Sequence, residues 1–431
     1  MESLKYTYKR LLVGLLALTY SFIGGCVYAE DPESAEEYIY TEANKKGEAI
    51  GEEGRKAGKE MPAGIWSLLT CWQSEEIYGL YGHTALRWRN VESGEDLVFN
   101  YGIFNFRKPF FALRFTMGKT DYELGVTDYG VFRRAYRERG VRVREQVLDL
   151  SEEESERLLR AILINYLPEN RVYRYNCYYD NCTTRARDKI EECVGGRIVY
   201  PDSIYERATF RTLIHGSNKG HPWAAFGVDM CMGLGSDLSI ERRKQQFLPR
   251  VLMDDFDEAQ IEERDGSRRP LVRRSKIVVD PGERVIEKEF PLSPTECGIV
   301  LLALCLIIGI LELRKGRLVW GLDILLMTGQ TLAGIIIVVL FLSEHPTTST
   351  NLQILILNPL PLFMIPSIVK EGRKKKKASV YWRIMAVMSV CFLLGSIVQD
   401  YAEGMEFVGV CILTRCITHI IINKRRWQVR D

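Results

Sequence analysis

The chain has 431 residues, of which 46% are hydrophobic, and its 58 basic and 56 acidic residues leave a net charge of +2. This balance excludes a protein that coats nucleic acid through charge, and an aromatic content of 10% excludes a chain that is disordered throughout. The mean hydropathy of −0.10 hides an uneven distribution, because long apolar runs are concentrated in the last third. The sequence therefore predicts an integral membrane protein with a large water-exposed part.

The N-terminus has the organisation of an export signal. Basic residues precede an apolar stretch at 11–23, and small residues follow it. Two fates compete: Ala29 ends a triplet suited to signal peptidase, whereas Cys26 ends a lipobox-like string and would then carry a lipid. We favour cleavage, or retention as an anchor without a lipid. Residues 1–29 are thus predicted to be a signal peptide or anchor and 30–60 a linker, and the chain after them is exported.

Residues 61–290 are predicted to form the exported domain, which is rich in strands. Short alternating or apolar stretches bounded by turn residues are typical of strands. They occur at 65–72, 83–88, 96–103, 122–126, 141–148 and 171–176. Residues 262–289 carry mixed charges and are interpreted as a tail that leads to the membrane part.

Two helices are predicted in the same domain. Ser151 and Glu154 have the spacing of a capping box, and the helix that they begin runs to about Tyr166. The second helix begins near Cys182 and ends before Gly195, since glycine favours a helix C-terminus. Strands and helices that occur in runs, rather than in strict alternation, indicate an α+β fold.

The segment 296–425 is predicted to be an all-α transmembrane bundle of about five helices. Its apolar runs lie at 297–313, 318–342, 352–369, 380–398 and 407–422. Basic clusters follow the first, third and fifth runs, which places the C-terminus in the cytoplasm. The last run contains Arg415 and His419, four residues apart on one helical face. These are either functional intramembrane groups or groups close to the lipid headgroups.

The chemistry expected of the exported domain centres on Cys182. The dipole at a helix N-terminus favours a thiolate, and the N–H groups there can hold an oxyanion. Cys177 precedes the helix and is an alternative nucleophile or a disulfide partner, since an exported compartment permits disulfides. Cys193 falls on the apolar face of the helix and is assigned to the core. No neighbouring histidine completes a zinc site with Cys177 and Cys182, so no metal ion is expected.

A cysteine nucleophile needs a base, and the exported domain has three histidines. His83 lies on a predicted strand beside a glycine, which leaves room for a substrate. His215 falls in a stretch rich in Gly, Ser and Asn and is interpreted as a solvated loop residue. His221 is interpreted as a packed loop residue. His83 is therefore the candidate base, with a purely structural role as the alternative.

The order of these motifs resembles that of a known family. A strand histidine, a polar residue on the next strand and an Asn-Cys pair that begins a helix are similar to the circularly permuted papain-like proteins, which include the lecithin retinol acyltransferase-like group. The resemblance is closer to the Lnb family of lipoprotein N-acyltransferases of Bacteroidota. It is carried by the strings at 81–87, 98–104, 180–185 with Asp188, 226–229 and 247–249. Thr183 and Thr184 replace the Glu-His that the wider group commonly has, so the acyl contacts of that group do not transfer.

The resemblance implies a lipoprotein N-acyltransferase that needs no cofactor. Cys182 would attack an acyl ester of a membrane phospholipid, with His83 as base and Asn100, on the following strand, orienting the imidazole. The resulting thioester would pass its acyl chain to the α-amine of a diacylated lipoprotein and leave a lysophospholipid. The implied location is the inner membrane, with the catalytic domain in the periplasm.

Three further residues are candidates for substrate binding. Arg87 and Arg185 are candidates for contact with a headgroup phosphate, and each is equally compatible with a structural ion pair. Tyr101 is a candidate oxyanion donor or a packing residue. Asp188 is expected to pair with an arginine.

Two other functions are compatible with the same motifs. A cysteine peptidase or amidase acting on cell-wall peptides is the second hypothesis, because a permuted papain-like fold does not settle the acceptor. The third is a sensor that binds lipid or lipoprotein, in which His83 and Cys182 are structural.

Overall fold

A computed structural model describes residues 62–74, 79–104, 109–201, 208–282, 290–374 and 380–428. The predicted signal or anchor and the linker at 30–60 lie outside these residues. The described chain consists of a mixed α/β part followed, after residue 290, by a helical part. The coarse fold class predicted from the sequence is therefore confirmed.

Seven strands form one antiparallel sheet, and three short strands form a second. The strands are β1 Ile65–Cys71, β2 His83–Arg89, β3 Asp96–Ile103, β4 Asp121–Asp128, β5 Val143–Leu148, β6 Val172–Arg174, β7 Arg197–Val199, β8 Gln260–Glu262, β9 Arg268–Pro270 and β10 Val272–Val279. The large sheet has the order β10-β5-β1-β2-β3-β4-β6, and the small one β7-β8-β9. Successive strands β1 to β4 are neighbours in the sheet, so the site residues on β2 and β3 lie near its middle.

Helices cover this sheet and make up the membrane part. Those of the α/β part are α1 Phe111–Thr116, α2 Tyr129–Glu138, α3 Glu152–Tyr166, α4 Cys182–Cys193, α5 Phe210–Ser217, α6 Pro222–Cys231, α7 Arg242–Gln245 and α8 Pro249–Glu258. Those of the helical part are α9 Pro294–Lys315, α10 Trp320–Phe341, α11 Leu360–Lys374, α12 Tyr381–Gly395 and α13 Met405–Gln428. The predicted capping box of Ser151 and Glu154 is present at the start of α3.

The large sheet is covered on both faces. Leu86 and Phe99 pack with Ile190 of α4 in the larger core. Ala85 and Val98 belong to a second core, which includes side chains of α2. Adjacent residues of β2 and β3 thus face opposite cores, as the two-residue period of a strand requires.

The prediction of a charged tail at 262–289 is wrong for residues 262–282, which the structure describes. Val272–Val279 form β10, an edge strand paired with β5. Arg273, Arg274 and Lys276 of this strand are exposed. Charged side chains keep an edge strand from pairing with another chain, and here they interrupt the hydrophobic pattern by which a strand is detected.

Four stretches of the described chain are long and apolar enough to cross a membrane. They are Pro294–Lys315, Trp320–Phe341, Leu352–Lys370 and Met405–Arg425. The fourth predicted run contains α12, whose 15 residues extend about 22 Å and are short for a bilayer. The third stretch is interrupted, because a 3₁₀ turn at Leu352–Leu355 precedes α11.

The α/β part rests on two loops at one end of the helical bundle. Asn351 and Gln353, which follow α10, donate hydrogen bonds to the backbone carbonyls of Met230 and Asp229 at 2.8 and 2.9 Å. Gln399, which follows α12, donates to a carbonyl just after α6 at 3.3 Å. All three amide side chains are buried. The loops after α10 and α12 therefore lie on the same side of the bundle. Neither loop follows a run that ends in a basic cluster, so the charge pattern assigns both to the outer face.

Arg415 and His419 belong to a buried ion cluster that joins α9, α10 and α13. Arg415 donates to Glu312 Oε2 at 2.5 Å through Nη1 and to Asp323 Oδ1 at 2.7 Å through Nε. His419 Nε2 lies 2.9 Å from Asp323 Oδ2, and its ring stacks on Trp382. The four ionisable side chains of the cluster are at most 1% exposed. They face the interior of the bundle and not the lipid.

Arg415→Met should destabilise the helical bundle strongly. The substitution leaves the carboxylates of Glu312 and Asp323 buried without their main counter-charge, which costs about 3–5 kcal/mol. Thermal unfolding of the full chain in detergent should show the loss. Arg425→Met is the matched control, because Arg425 lies on the same helix, is exposed and, among the described residues, donates to the Leu313 carbonyl. Equal stability of the two variants would contradict a stabilising role for the cluster.

Candidate active site

Cys182 is the first residue of α4, as predicted, and Asn181 caps this helix. Asn181 Oδ1 accepts hydrogen bonds from the backbone N–H groups of Thr183 and Thr184, both at 2.9 Å. Its Nδ2 donates to two backbone carbonyls, also at 2.9 Å. A cap whose side-chain oxygen and nitrogen are both engaged fixes the helix start, and with it the position of the Cys182 thiol.

The structure brings together the three residues that the sequence analysis assigns to catalysis. The Cys182 thiol lies close enough to the His83 imidazole for each group to shift the pKa of the other, and His83 Nε2 lies 3.3 Å from Asn100 Oδ1. An amide oxygen only accepts, so Nε2 carries the proton and leaves the Nδ1 lone pair for the thiol. All three residues are partly exposed, which a substrate requires. The arrangement is that of a nucleophile, its base and an orienting group.

The electrostatics of the pair favour a thiolate and an imidazolium. Burial opposes charge on Cys182, but His83 outweighs it and lowers the pKa of this thiol below its ordinary value of 9.0. Burial likewise opposes charge on His83, and the Cys182 thiolate together with Asn100 raises the pKa of the imidazole above 6.5. Each charge stabilises the other, so the contact between the two groups shifts both towards their charged forms.

Two glycines make room for this geometry. Gly82 precedes β2 with φ +76°, and a Cβ there would lie 2.6 Å from the Cys71 carbonyl oxygen. Only glycine therefore leads the chain into His83, the first residue of β2. Gly102 of β3 has φ +98° and stands beside Cys182, where a Cβ would lie 3.7 Å from the Cys182 Cβ. A side chain longer than that of alanine at position 102 would reach the space around the thiol.

Two threonines that the sequence analysis did not assign to the site complete it. Thr84 Oγ1 and Thr183 Oγ1 lie 3.1 Å apart and join β2 to the start of α4. The Thr84 N–H lowers the pKa of the Cys182 thiol, and the Thr183 hydroxyl lies 3.7 Å from Sγ. Both groups stabilise a thiolate. Their only signal in the sequence is that each directly follows a catalytic candidate.

The other four cysteines of the exported domain differ from Cys182. Burial raises the pKa of the Cys177 thiol to about 12 and that of Cys231 to about 11. Burial also raises the pKa values of Cys71 and Cys193, and Cys193 lies in the core as predicted. Each described cysteine is a free thiol, so Cys177 is not a disulfide partner here. Within the described ranges, no three His, Cys, Asp or Glu side chains are grouped so that they could hold a metal ion.

Arg87 lies in a buried ion-pair network on β2. Its Nε and Nη2 donate to Asp96 at 2.7 and 2.6 Å, and its Nη1 donates to Glu145 at 2.6 Å. The guanidinium also lies 3.4 Å from the centre of the Tyr129 ring. These contacts correspond to the structural ion pair that the sequence analysis kept as the alternative, and with 7% of Arg87 exposed they leave little surface for a headgroup.

Arg185 and Tyr101, the other two candidates for substrate binding, lie close to each other. Arg185 donates to Asp180 at 2.6 and 2.8 Å through Nε and Nη2, and its guanidinium lies 3.6 Å from the centre of the Tyr173 ring. It is half-buried. The Tyr101 hydroxyl donates to Asn165 Oδ1 at 2.7 Å, and its ring lies in the larger core. The contacts of Tyr101 therefore fit a packing residue better than an oxyanion donor.

His215 is exposed, as the sequence predicted, but it lies in a helix and not in a loop. Thr209 caps α5, which continues through the Gly/Ser residues and carries His215 in its last turn. His215 Nε2 lies 2.6 Å from Asp229 Oδ2. His221 is buried at the start of α6, and Asp188 pairs with two arginines, as predicted.

Comparison with known protein families gives a match to each part of the chain. Residues 65–216 match the family described as the Lnb N-terminal periplasmic domain. Residues 285–426 match the family described as the Lnb transmembrane domain. The first match includes all three catalytic candidates. Neither the curated proteins nor the solved structures give a significant match.

Cys182 should react with iodoacetamide at pH values well below 9, because its thiol pKa is lowered by His83. His83→Ala removes the largest influence that opposes burial, so the pKa should rise and the thiolate fraction at pH 7 should fall about tenfold for each unit of the rise. Mass spectrometry of the alkylated chain between pH 5 and 10 measures the profile for this one cysteine. Cys177, whose pKa is about 12, serves as the internal unreactive control. An unchanged profile in His83→Ala would show that the imidazole does not activate the thiol.

Proposed function

The chain belongs to the Lnb family, membrane-associated enzymes with a periplasmic domain, and we propose that it is a cysteine-dependent lipoprotein N-acyltransferase. The observation that carries the proposal is the Cys182–His83–Asn100 arrangement at a helix start, in a domain that rests on a membrane bundle. We also propose that the α/β part has the permuted papain-like fold implied by the order of these residues.

The first half of the proposed reaction transfers an acyl chain from phospholipid to Cys182. The thiolate attacks the ester carbonyl carbon, a C–S bond forms and the ester C–O bond breaks. The His83 imidazolium gives its proton to the departing glycerol oxygen, so that a lysophospholipid leaves and a thioester remains. Because Thr183 and Thr184 N–H groups are engaged by Asn181, the Cys182 N–H is the donor of this turn that we assign to the oxyanion.

The second half passes the chain to the N-terminal amine of a diacylated lipoprotein. The now neutral His83 takes a proton from the amine as nitrogen attacks the thioester carbonyl, an amide bond forms and the C–S bond breaks. The leaving thiolate is again stabilised by the Thr84 N–H and by the imidazolium. Asn100 holds the ring in the tautomer that both halves need.

The membrane bundle has a physical role in this proposal. Both substrates are anchored in a bilayer, so an active site held at its surface avoids the cost of extracting them. The buried amides of Asn351, Gln353 and Gln399 hold the α/β part on the two loops assigned to the outer side. We place this side at the periplasmic face of the inner membrane and the C-terminus in the cytoplasm. Arg185 is the candidate we keep for a headgroup phosphate, since it is half-buried and one turn from Cys182.

Cys182→Ala should abolish acyl transfer without unfolding the chain, because no other thiol of the domain has a lowered pKa. Full-length protein in phospholipid vesicles is supplied with a diacylated lipopeptide, and mass spectrometry measures the gain of one acyl chain. Cys177→Ala is the matched control and should retain transfer. Turnover in Cys182→Ala would move the nucleophile elsewhere. Release of cell-wall stem peptides by the wild type, without acylation, would favour the peptidase or amidase.

Asn100→Ala should lower kcat about tenfold to hundredfold with little change in KM, because the imidazole loses the partner that fixes its tautomer. Asn100→Asp keeps an acceptor oxygen and should retain more of the rate. It should also raise the His83 pKa and so shift the basic limb of the pH–rate profile upward. Equal kcat and identical pH profiles for the two variants would show that residue 100 acts only through packing.

A further inference from the structure

The short helix α1 displays apolar side chains on the surface of the α/β part. Phe110 is 79% exposed, Leu113 55% and Phe115 47%, and α1 has no buried residue. A cluster of large exposed apolar side chains marks a surface that another apolar body covers. Phe110 also has φ +57° and is the one residue other than glycine with positive φ in the described chain. Such strained backbone is concentrated at binding and catalytic sites.

This helix is fixed where a membrane-spanning helix ends. Glu344 and His345 follow α10 by three and four residues. The Glu344 N–H donates to the Met117 carbonyl at 3.0 Å, and His345 Nε2 donates to the Phe115 carbonyl at 2.9 Å. Arg174 adds an ion pair to Glu344 at 3.0 Å. These contacts hold α1 at the level where α10 leaves the bilayer.

A row of aromatic side chains leads from α1 towards the nucleophile. The rings of Phe115 and Phe111 have centres 6.1 Å apart, those of Phe111 and Phe104 5.8 Å, and those of Phe104 and Tyr122 4.8 Å. Tyr122 stacks on Tyr175 at 4.1 Å. We call these five residues the aromatic path.

The inner end of the aromatic path and Cys182 belong to the same region of the core. Cys182, Phe104 and Tyr175 all pack against the same core cluster, which contains Tyr122. Burial and the nearby Cys182 thiolate both raise the pKa of the Tyr175 phenol. The aromatic path and the reactive sulfur therefore border the same apolar core.

We propose that α1 and the aromatic path bind the acyl chain of the donor phospholipid, with α1 inserted among the lipid headgroups. This inference rests on the proposed function. In a thioester the carbonyl carbon is bonded to Sγ, so the first carbons of the transferred chain must lie beside Cys182, near Tyr122 and Tyr175. The chains already on a lipoprotein need not reach the sulfur, which is why the donor is the occupant. The methyl end of the donor chain then extends past Phe104 and Phe111 towards the bilayer.

Photoreactive phospholipids test the binding surface without turnover. Full-length Cys182→Ala is placed in phosphatidylethanolamine vesicles that contain a lipid with a diazirine either near the ester or near the methyl end of its chain. We expect the near-ester probe to label the peptides that carry Tyr122 and Tyr175, and the far probe to label the peptide at 110–115. Labelling confined to the membrane-spanning helices with both probes would overturn the inference.

A functional comparison separates this inference from the proposed reaction. Leu113→Ser should lower thioester formation from vesicle phospholipid about tenfold, because part of an apolar contact is lost. Leu238→Ser is the matched control, since Leu238 is 60% exposed in the same part of the chain, and it should leave the rate unchanged. Alkylation of Cys182 checks that both variants are folded.

The outcomes of this comparison are distinct. Equal rates for Leu113→Ser and Leu238→Ser would overturn the acyl-binding surface and leave the acyltransferase intact. Absence of a thioester in the wild type itself would defeat the proposed function, whatever the labelling shows. Labelling of α1 by lipid in that case would identify a lipid-binding surface with a different chemical purpose.

Discussion

The site depends on one interaction, the pairing of a half-buried thiol with a half-buried imidazole. Burial alone disfavours charge on both groups, so neither would ionise at this place without the other. Together they favour a thiolate and an imidazolium, and the Thr84 N–H also lowers the pKa of the thiol. Because each charge stabilises the other, any change that separates α4 from β2 disfavours both charges at once, and with them the proposed nucleophile and acid.

The surrounding fold holds the distance between the Cys182 thiol and the His83 imidazole constant. Asn181 fixes the start of α4 by bonds within the helix and to the backbone before and far after it. The bond between Thr84 and Thr183 ties that helix start to β2. In the sheet, the antiparallel pairing of β1 to β4 fixes the positions of the side chains on β2 and β3. The thiol and the imidazole thus come from elements that are independently rigid, which gives better positioning than loops would.

The sequence predicted the features that depend on local signals. A capping box, an Asn-Cys helix start and apolar strand periods are properties of a few adjacent residues, and α3, α4 and β1 to β3 lie within a residue or two of their predicted bounds. The partners of charged side chains depend on the folded topology instead. Glu145, which engages Arg87, is 58 residues away on a non-adjacent strand, so no local pattern distinguishes a structural arginine from one that binds phosphate. The sequence analysis did not predict the edge strand β10, because its exposed charged side chains interrupt the hydrophobic pattern of a strand. The same charges keep this edge from pairing with another chain.

Attachment to the bundle extends the same argument to the membrane. Three buried side-chain amides donate hydrogen bonds to backbone carbonyls at the end of α6, namely those of Asn351, Gln353 and Gln399. A buried donor left without an acceptor costs about 1–3 kcal/mol. The α/β part is therefore held in one orientation relative to the spanning helices. A second attachment, from Glu344 and His345 to α1, fixes the apolar end of the aromatic path at the membrane level. With both ends of the α/β part held, the distance from the bilayer to Cys182 is set by the packing of Phe104, Phe111 and Tyr122. Under the proposed reaction, the length of acyl chain that fits between the bilayer and the sulfur is then a property of the fold.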